Sequence, residues 1–320
     1  MDRRRARARA LSAFSALSAA ATALVLAAAA ASPKPGISFP IREARWLAPD
    51  RLYAGLAREP AECLVRPAAT AERRSIAIGR AAFRTPLLLG GQAARAGMSC
   101  ATCHRNGRGN PAFLFPGLSG AAGTADVTSS LMSSHRGDHV VNPRPIPDLG
   151  GPRALLKIAR DPGGGALEHF IHGLVVEEFD GPEPSPEVLA GLASYVRALA
   201  PCPPRDHRIA LGERLDEVEA AVRLAAQSQG ETRRLLLAAA RSTLGAIDER
   251  FHGLEADRDL LRAAGADLGA IRSAGGDLGR WSRLWPDRKR RLLADESRSL
   301  FDPALLRRAL GAKVSRPPGS

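Results

Sequence analysis

Two thiols and an imidazole fall within five residues, in Cys100-Ala101-Thr102-Cys103-His104. Two thiols at this separation can each form a bond to the same rigid body, and the adjoining imidazole is then held beside it. This is the spacing of covalent haem attachment. Each thiol adds across one vinyl group of the porphyrin, and the histidine becomes the fifth iron ligand through a borderline nitrogen donor. Two other chemistries use a Cys-x-x-Cys pair. A zinc knuckle needs two further ligands at matching spacing, and Cys63 and Cys202 are distant and show no such pattern. A thioredoxin-like redox pair follows a strand and opens a helix, whereas Ala/Gly-rich sequence surrounds this one. The motif predicts one covalent haem c on Cys100, Cys103 and His104.

The sixth iron position separates the functions such a haem can serve. A His/Met or His/His pair fills the iron and suits electron transfer, while an open position admits peroxide. Met132, 28 residues beyond His104, is the first candidate. His135 is the second and His139 the third, both in Ser133-Ser134-His135-Arg136-Gly137-Asp138-His139. Met98, two residues before Cys100, reads as packing. Arg136 and Arg144 are candidate partners for the haem propionates. Tyr195 reads as core, His169 and His172 as a surface pair, and Glu177, Glu178 and Asp180 as a solvated turn.

Haem attachment of this type takes place outside the cytoplasm, and the N-terminus fits export. Arg3, Arg4, Arg5, Arg7 and Arg9 precede an uncharged run from Leu11 to Ala31 that ends in Ala29-Ala30-Ala31. A basic segment, an apolar segment and a small-residue exit make a signal peptide over residues 1–31. Cleavage would leave no membrane span. It would also take about +4 from the net charge of +13. The remaining basic excess favours encounter with acidic partners and, in an exported haem protein, not nucleic acid. Its densest run, Arg288-Lys289-Arg290-Arg291, reads as a solvated helix face. With Cys100 and Cys103 assigned to haem, Cys63 and Cys202 are the two remaining cysteines, and an oxidising compartment predicts a disulfide between them.

Periodicity places the elements. Residues 32–69 read as an extended lead-in. Helices are predicted over 71–83, 167–174 and 186–199, with the Gly/Pro-rich stretch 105–165 between the first two as a haem-wrapping loop. From about Asp206 the three–four spacing continues through 209–229, 231–251, 254–264, 268–273, 281–293 and 303–310, with Asp302 as an N-cap before Pro303. The fold class is all-α: a cytochrome c-like haem domain with long loops over 70–205, then an antiparallel helical bundle over 206–320.

Ile78-Gly79-Arg80-Ala81-Ala82-Phe83, Pro86-Leu87 and Met98-Ser99-Cys100-Ala101-Thr102-Cys103-His104 resemble the N-terminal part of the bacterial di-haem cytochrome c peroxidase/MauG superfamily, as does Asn142-Pro143-Arg144-Pro145-Ile146-Pro147-Asp148-Leu149. The resemblance covers roughly residues 70–200 and implies a periplasmic haem protein that handles electrons. Di-haem members carry two Cys-x-x-Cys-His motifs and this chain has one. The division into an electron-accepting haem and a peroxidatic haem is therefore missing. The leading expectation is a mono-haem cytochrome exchanging single electrons with a redox partner protein. A peroxidase-like oxidoreductase acting on hydrogen peroxide is the alternative, and a haem-containing interaction protein working through its helical domain is the third reading.

Overall fold

Apolar residues recurring every three and four positions build most of this molecule. The computed structural model describes residues 39–128, 131–135, 140–152, 157–160 and 164–314, and these are mostly helical, in line with the all-α expectation. The predicted signal peptide lies outside the described residues, as do Arg136 and His139. Among the described residues no helix is long and apolar enough to cross a membrane.

The segment after residue 38 corrects the expectation of an extended lead-in. Phe39, Ile41, Leu47 and Leu56 are buried together with Leu306 and Leu310. To hide those side chains the chain coils into a 3-10 turn, Arg42–Trp46, and a short helix α1, Leu52–Ala57. Strand β1, Arg58–Pro60, follows.

Helix α2, Thr70–Phe83, buries Ile76, Ile78, Gly79, Ala82 and Phe83 on one face. Pro86 stops it by holding Thr85 extended, and the Thr85 hydroxyl donates to the Ala81 carbonyl at 2.6 Å. Two short helices, α3 (Gly91–Ala96) and α4 (Cys100–Cys103), lead into the long loop. That loop carries an antiparallel two-residue pairing of β2, Thr124–Ala125, with β3, Arg144–Pro145. Helix α5, Ala166–Gly173, continues as a π-turn over Leu174–Glu178. Helix α6, Pro186–Ala198, begins with proline in its first turn, and the Ser185 hydroxyl accepts from Val188 N at 3.4 Å.

Helices α2 and α6 pack against each other through glycine. A Cβ added at Gly79 would lie 1.8 Å from the Gly191 carbonyl oxygen, and one at Gly191 would lie 3.0 Å from Gly79 N. Backbone thus meets backbone, and Ser75 Oγ bonds Ser194 Oγ at 3.0 Å beside that crossing.

Strand β4, Asp206–Arg208, pairs antiparallel with β1 and sets His207 opposite Glu59. Cys63 and Cys202 are joined as a disulfide next to this pairing, with Cα atoms 5.6 Å apart. Helices α7 (Leu211–Ala226), α8 (Gly230–Arg250), α9 (Glu255–Ala274), α10 (Gly279–Ala294) and α11 (Pro303–Val314) complete the chain. Sequence spacing predicts two helices over 254–273, but one is present. Leu261, Ala264 and Leu268 form an unbroken buried stripe, and Gly265 within it costs about 1 kcal/mol, too little to end a helix. The Asp302 carboxylate caps α11, accepting from Ala304 N at 2.9 Å and Leu305 N at 2.8 Å. In the basic run, Arg288 faces Asp267 and Lys289 faces Asp216 and Glu219. The described residues form one compact unit, and its largest core includes Leu192 and Tyr195 before position 205 and Leu215, Leu236 and Phe301 beyond it.

Two stability outcomes follow from these contacts. Gly79→Ala pushes α2 off α6 and lowers the unfolding free energy by about 3 kcal/mol, the upper end of ordinary overpacking costs, as measured by urea denaturation. Replacing Cys63 and Cys202 with serine frees a loop of 139 residues in the unfolded chain. The loss expected from chain entropy is about 4–5 kcal/mol in the same measurement.

Candidate functional site

The approach to the thiols is fixed by a left-handed residue. Helix α3 ends at Gly97, with φ at 78°, where a Cβ would sit 2.5 Å from an Arg42 guanidinium nitrogen. The reversal there lets Met98 N donate to the Ala93 carbonyl at 2.9 Å. Ser99 then opens α4 with a reciprocal capping box, and Ser99 N donates to Thr102 Oγ1 at 3.0 Å. Ala101 and Thr102 are thus more than spacers, since Thr102 closes the turn that carries both cysteines. The Thr102 carbonyl, left over at the helix end, accepts from Asn110 Nδ2 at 2.9 Å.

His104 is the C-cap of this turn. Its Nδ1 is 3.0 Å from the Pro147 carbonyl oxygen. A carbonyl only accepts, so Nδ1 carries the proton and Nε2 keeps its lone pair. A ring nitrogen held by a backbone carbonyl is the usual support of a metal-ligating histidine. Burial pushes His104 down to about 4, outweighing the Pro147 bond and the Asp148 charge, so the ring is neutral at pH 7. Burial also pushes the Cys100 and Cys103 thiols up to about 12.

Both cysteines pack at the margin of an apolar cluster of Trp46, Leu89, Met98, Phe113, Leu118 and Met132. Met132 is 1% exposed within it. The loop bearing Met132 is fastened to the turn after the π-helix. Ser134 donates to Asp180 Oδ1 through its backbone N and its hydroxyl, each at 2.9 Å, and the Ser133 hydroxyl donates to the Glu177 carbonyl. The solvated turn expected at 177–180 is corrected here: Glu178 is buried and Asp180 is the anchor of a loop.

His135 is not brought to the cysteines. Its side chain is 63% exposed, with Nε2 3.7 Å from Asp180 Oδ1. His139, the third candidate, and Arg136 lie outside the described residues. Arg144 is exposed on β3. Tyr195 is core: its ring packs 5.1 Å from that of Phe83 and its hydroxyl donates to Glu62 Oε1 at 2.6 Å. His172 pairs with Glu183 at 2.8 Å, and His169 is exposed.

An ionic network that sequence reading missed reaches Asn106, two residues beyond His104. Arg84 bonds Asn106 Oδ1 at 2.5 Å and Glu62 Oε1 at 3.2 Å, and also bonds Glu217. Arg80 joins Glu62 at 2.7 Å and Glu217 at 3.1 Å, and Arg214 joins Glu217 at 3.0 Å and also pairs with Glu59. The partners are far apart in the chain, so no local spacing announces them.

No protein-family model, no curated protein and no solved structure matches this chain.

Burial alone would raise the Glu217 carboxyl, but Arg84, Arg214 and Arg80 prevail and hold it at about 2, against an ordinary value of 4.5. A carboxylate whose folded value is depressed contributes stability above its unfolded value and loses it as pH falls toward the folded one. The protein is therefore expected to lose stability progressively between about pH 4.5 and 2. Glu217→Gln should shrink that loss. At pH 7 it should cost about 3–5 kcal/mol by leaving buried guanidinium groups unpaired. Urea titrations of both proteins across this pH range read both effects.

Proposed function

We propose that this protein is an exported mono-haem c-type cytochrome that passes single electrons to or from a partner protein. The reading is carried by His104: a neutral imidazole, adjoining two half-buried thiols, with Nδ1 occupied by the Pro147 carbonyl and Nε2 left to bind a metal. The residues present fit the group. Cys100 and Cys103 would supply two sulfurs for thioether bonds and His104 a nitrogen donor, and the cluster holding Met98 and Met132 would supply an apolar surround. When bound, haem supplies one-electron Fe(III)/Fe(II) chemistry.

Each part of the chain has a task in this reading. Ser99 and Thr102 hold the cysteine turn. Pro147 fixes the tautomer and orientation of His104. Trp46, Phe113 and Leu118 exclude water, which favours the less charged iron state. Met132, in the cluster against which both cysteines pack, would be the second donor to the iron, and a filled iron would serve electron transfer rather than peroxide turnover. The Cys63–Cys202 disulfide fits an oxidising compartment, as does the signal-peptide pattern. In the same reading, residues 70–205 make a cytochrome c-like unit, and the helices beyond it form an antiparallel bundle. The basic excess steers an acidic redox partner.

The protein produced with a periplasmic haem-attachment system should be coloured. The chromophore should resist acid-acetone extraction, and the ferric form should be low-spin and indifferent to peroxide. Cys100→Ser with Cys103→Ser should remove the covalent chromophore. Met132→Ala should give a high-spin ferric form that binds CO when reduced, while His135→Ala leaves the spectrum unchanged. A colourless wild-type protein overturns the haem assignment. A high-spin wild-type spectrum with peroxide turnover overturns electron transfer in favour of the peroxidase-like reading.

A further inference from the structure

A second set of donor atoms lies on the other side of the disulfide from α4 in sequence, where the β1–β4 pairing meets the first turn of α7. Glu59 and His207 are direct cross-strand partners. Glu213 reaches the same point from α7. His207 Nε2 is 3.4 Å from Glu59 Oε1 and 3.4 Å from Glu213 Oε2. One donor atom from each of the three residues can be chosen so that all lie within 4.8 Å of one another.

These separations are too long for charge-assisted hydrogen bonds, which close to about 2.7–2.9 Å. They match something else. Four ligands arranged tetrahedrally about 2.0–2.2 Å from a zinc ion stand about 3.3–3.6 Å from each other. The imidazole stands at the same distance from both carboxylates and closes a short hydrogen bond to neither.

The charge balance also admits a cation. Glu59 is 6% exposed, and its other oxygen, Oε2, pairs with Arg214. Burial would raise the Glu59 carboxyl, but Arg214, Arg84 and Arg105 outweigh it and keep the group ionised. Glu59 and Glu213 bring two carboxylates to His207, and a guanidinium pairs directly with the first of them. His207 and Glu213 are 40% and 53% exposed, so an ion can arrive from solvent without unfolding the pairing.

We propose that Glu59, His207 and Glu213 form a site for one divalent transition cation of the zinc type, with water completing the coordination. The ion would staple β1 to β4 and to α7, a few residues from the Cys63–Cys202 bond that joins the same two segments. This does not depend on the haem assignment, because none of the three residues belongs to the Cys100–His104 turn.

The test is titration of the purified full-length chain with zinc chloride after EDTA treatment, read by calorimetry and by thermal unfolding. The variants His207→Ala and Glu213→Gln change partly exposed side chains, and in EDTA both should melt where the wild type melts. His172→Ala, a surface histidine that also faces a carboxylate, is the control. The wild type should bind one zinc ion more than either site variant, or bind it at least tenfold more tightly, and its melting temperature should rise with zinc. The rise should be lost in both site variants and kept in His172→Ala. Equal zinc binding and equal thermal response in wild type, His207→Ala and Glu213→Gln overturns the site, as does a wild type that zinc does not stabilise.

Discussion

The guanidinium of Arg84 is the group on which the joining of this molecule depends. Taking a cation out of water costs several kcal/mol unless its partners are well placed. Here the partners come from three separate stretches: Glu62 just before the disulfide, Glu217 on α7, and Asn106 just after His104. Apolar side chains tolerate small slips against each other, but a planar fork of donors reads the position of each acceptor. The network therefore sets the register in which α2, the Cys100–Asn106 segment and the helices beyond position 205 meet. Asn106 adopts a left-handed conformation, φ 51°, and its amide also donates to the Pro60 carbonyl at 2.7 Å. A single side chain thus ties the residues after His104 to both the β1 strand and the ionic cluster.

The four cysteines divide into two environments, and the division follows from what surrounds them. Cys63 and Cys202 approach because β1 and β4 pair beside them, and they are bonded. Cys100 and Cys103 share one helical turn among apolar groups that keep their thiols protonated. Thiol–disulfide exchange proceeds through the thiolate, so a pair raised this far is poorly suited to redox exchange.

Much of this was legible in the sequence where the signal is local. The helices at 70–83 and 186–198 follow from apolar spacing closed by Pro86 and opened by Ser185-Pro186, and Asp302-Pro303 marked the start of the last one. The turn that carries Cys100 and Cys103 is local too. The disulfide was legible by counting. What escaped has no local signature. Pro147 acts through its carbonyl, which every residue possesses, 43 positions from His104. Arg214 finds Glu59 across 155 positions. The coiling of residues 42–57 depends on apolar partners near the far end of the chain, Leu306 and Leu310. The single helix at 255–274 was hidden because a glycine penalty looks like a boundary until the buried stripe on either side is seen to be continuous.

Asp180 shows how a residue that reads as surface can govern a site it does not touch. It sits at φ 54° in the turn after the π-helix, and a Cβ at Gly90 would lie 1.7 Å from its carbonyl oxygen. Gly90 N donates to the neighbouring Phe179 carbonyl at 3.0 Å, so the start of α3, which leads to the cysteines, is docked on this turn. The carboxylate of the same residue holds Ser134, two positions from Met132. One turn therefore positions both the segment that brings in Cys100 and the loop that brings in the methionine. Asp180 thus couples the approach to Cys100 with the placement of Met132, through its backbone on one side and its carboxylate on the other.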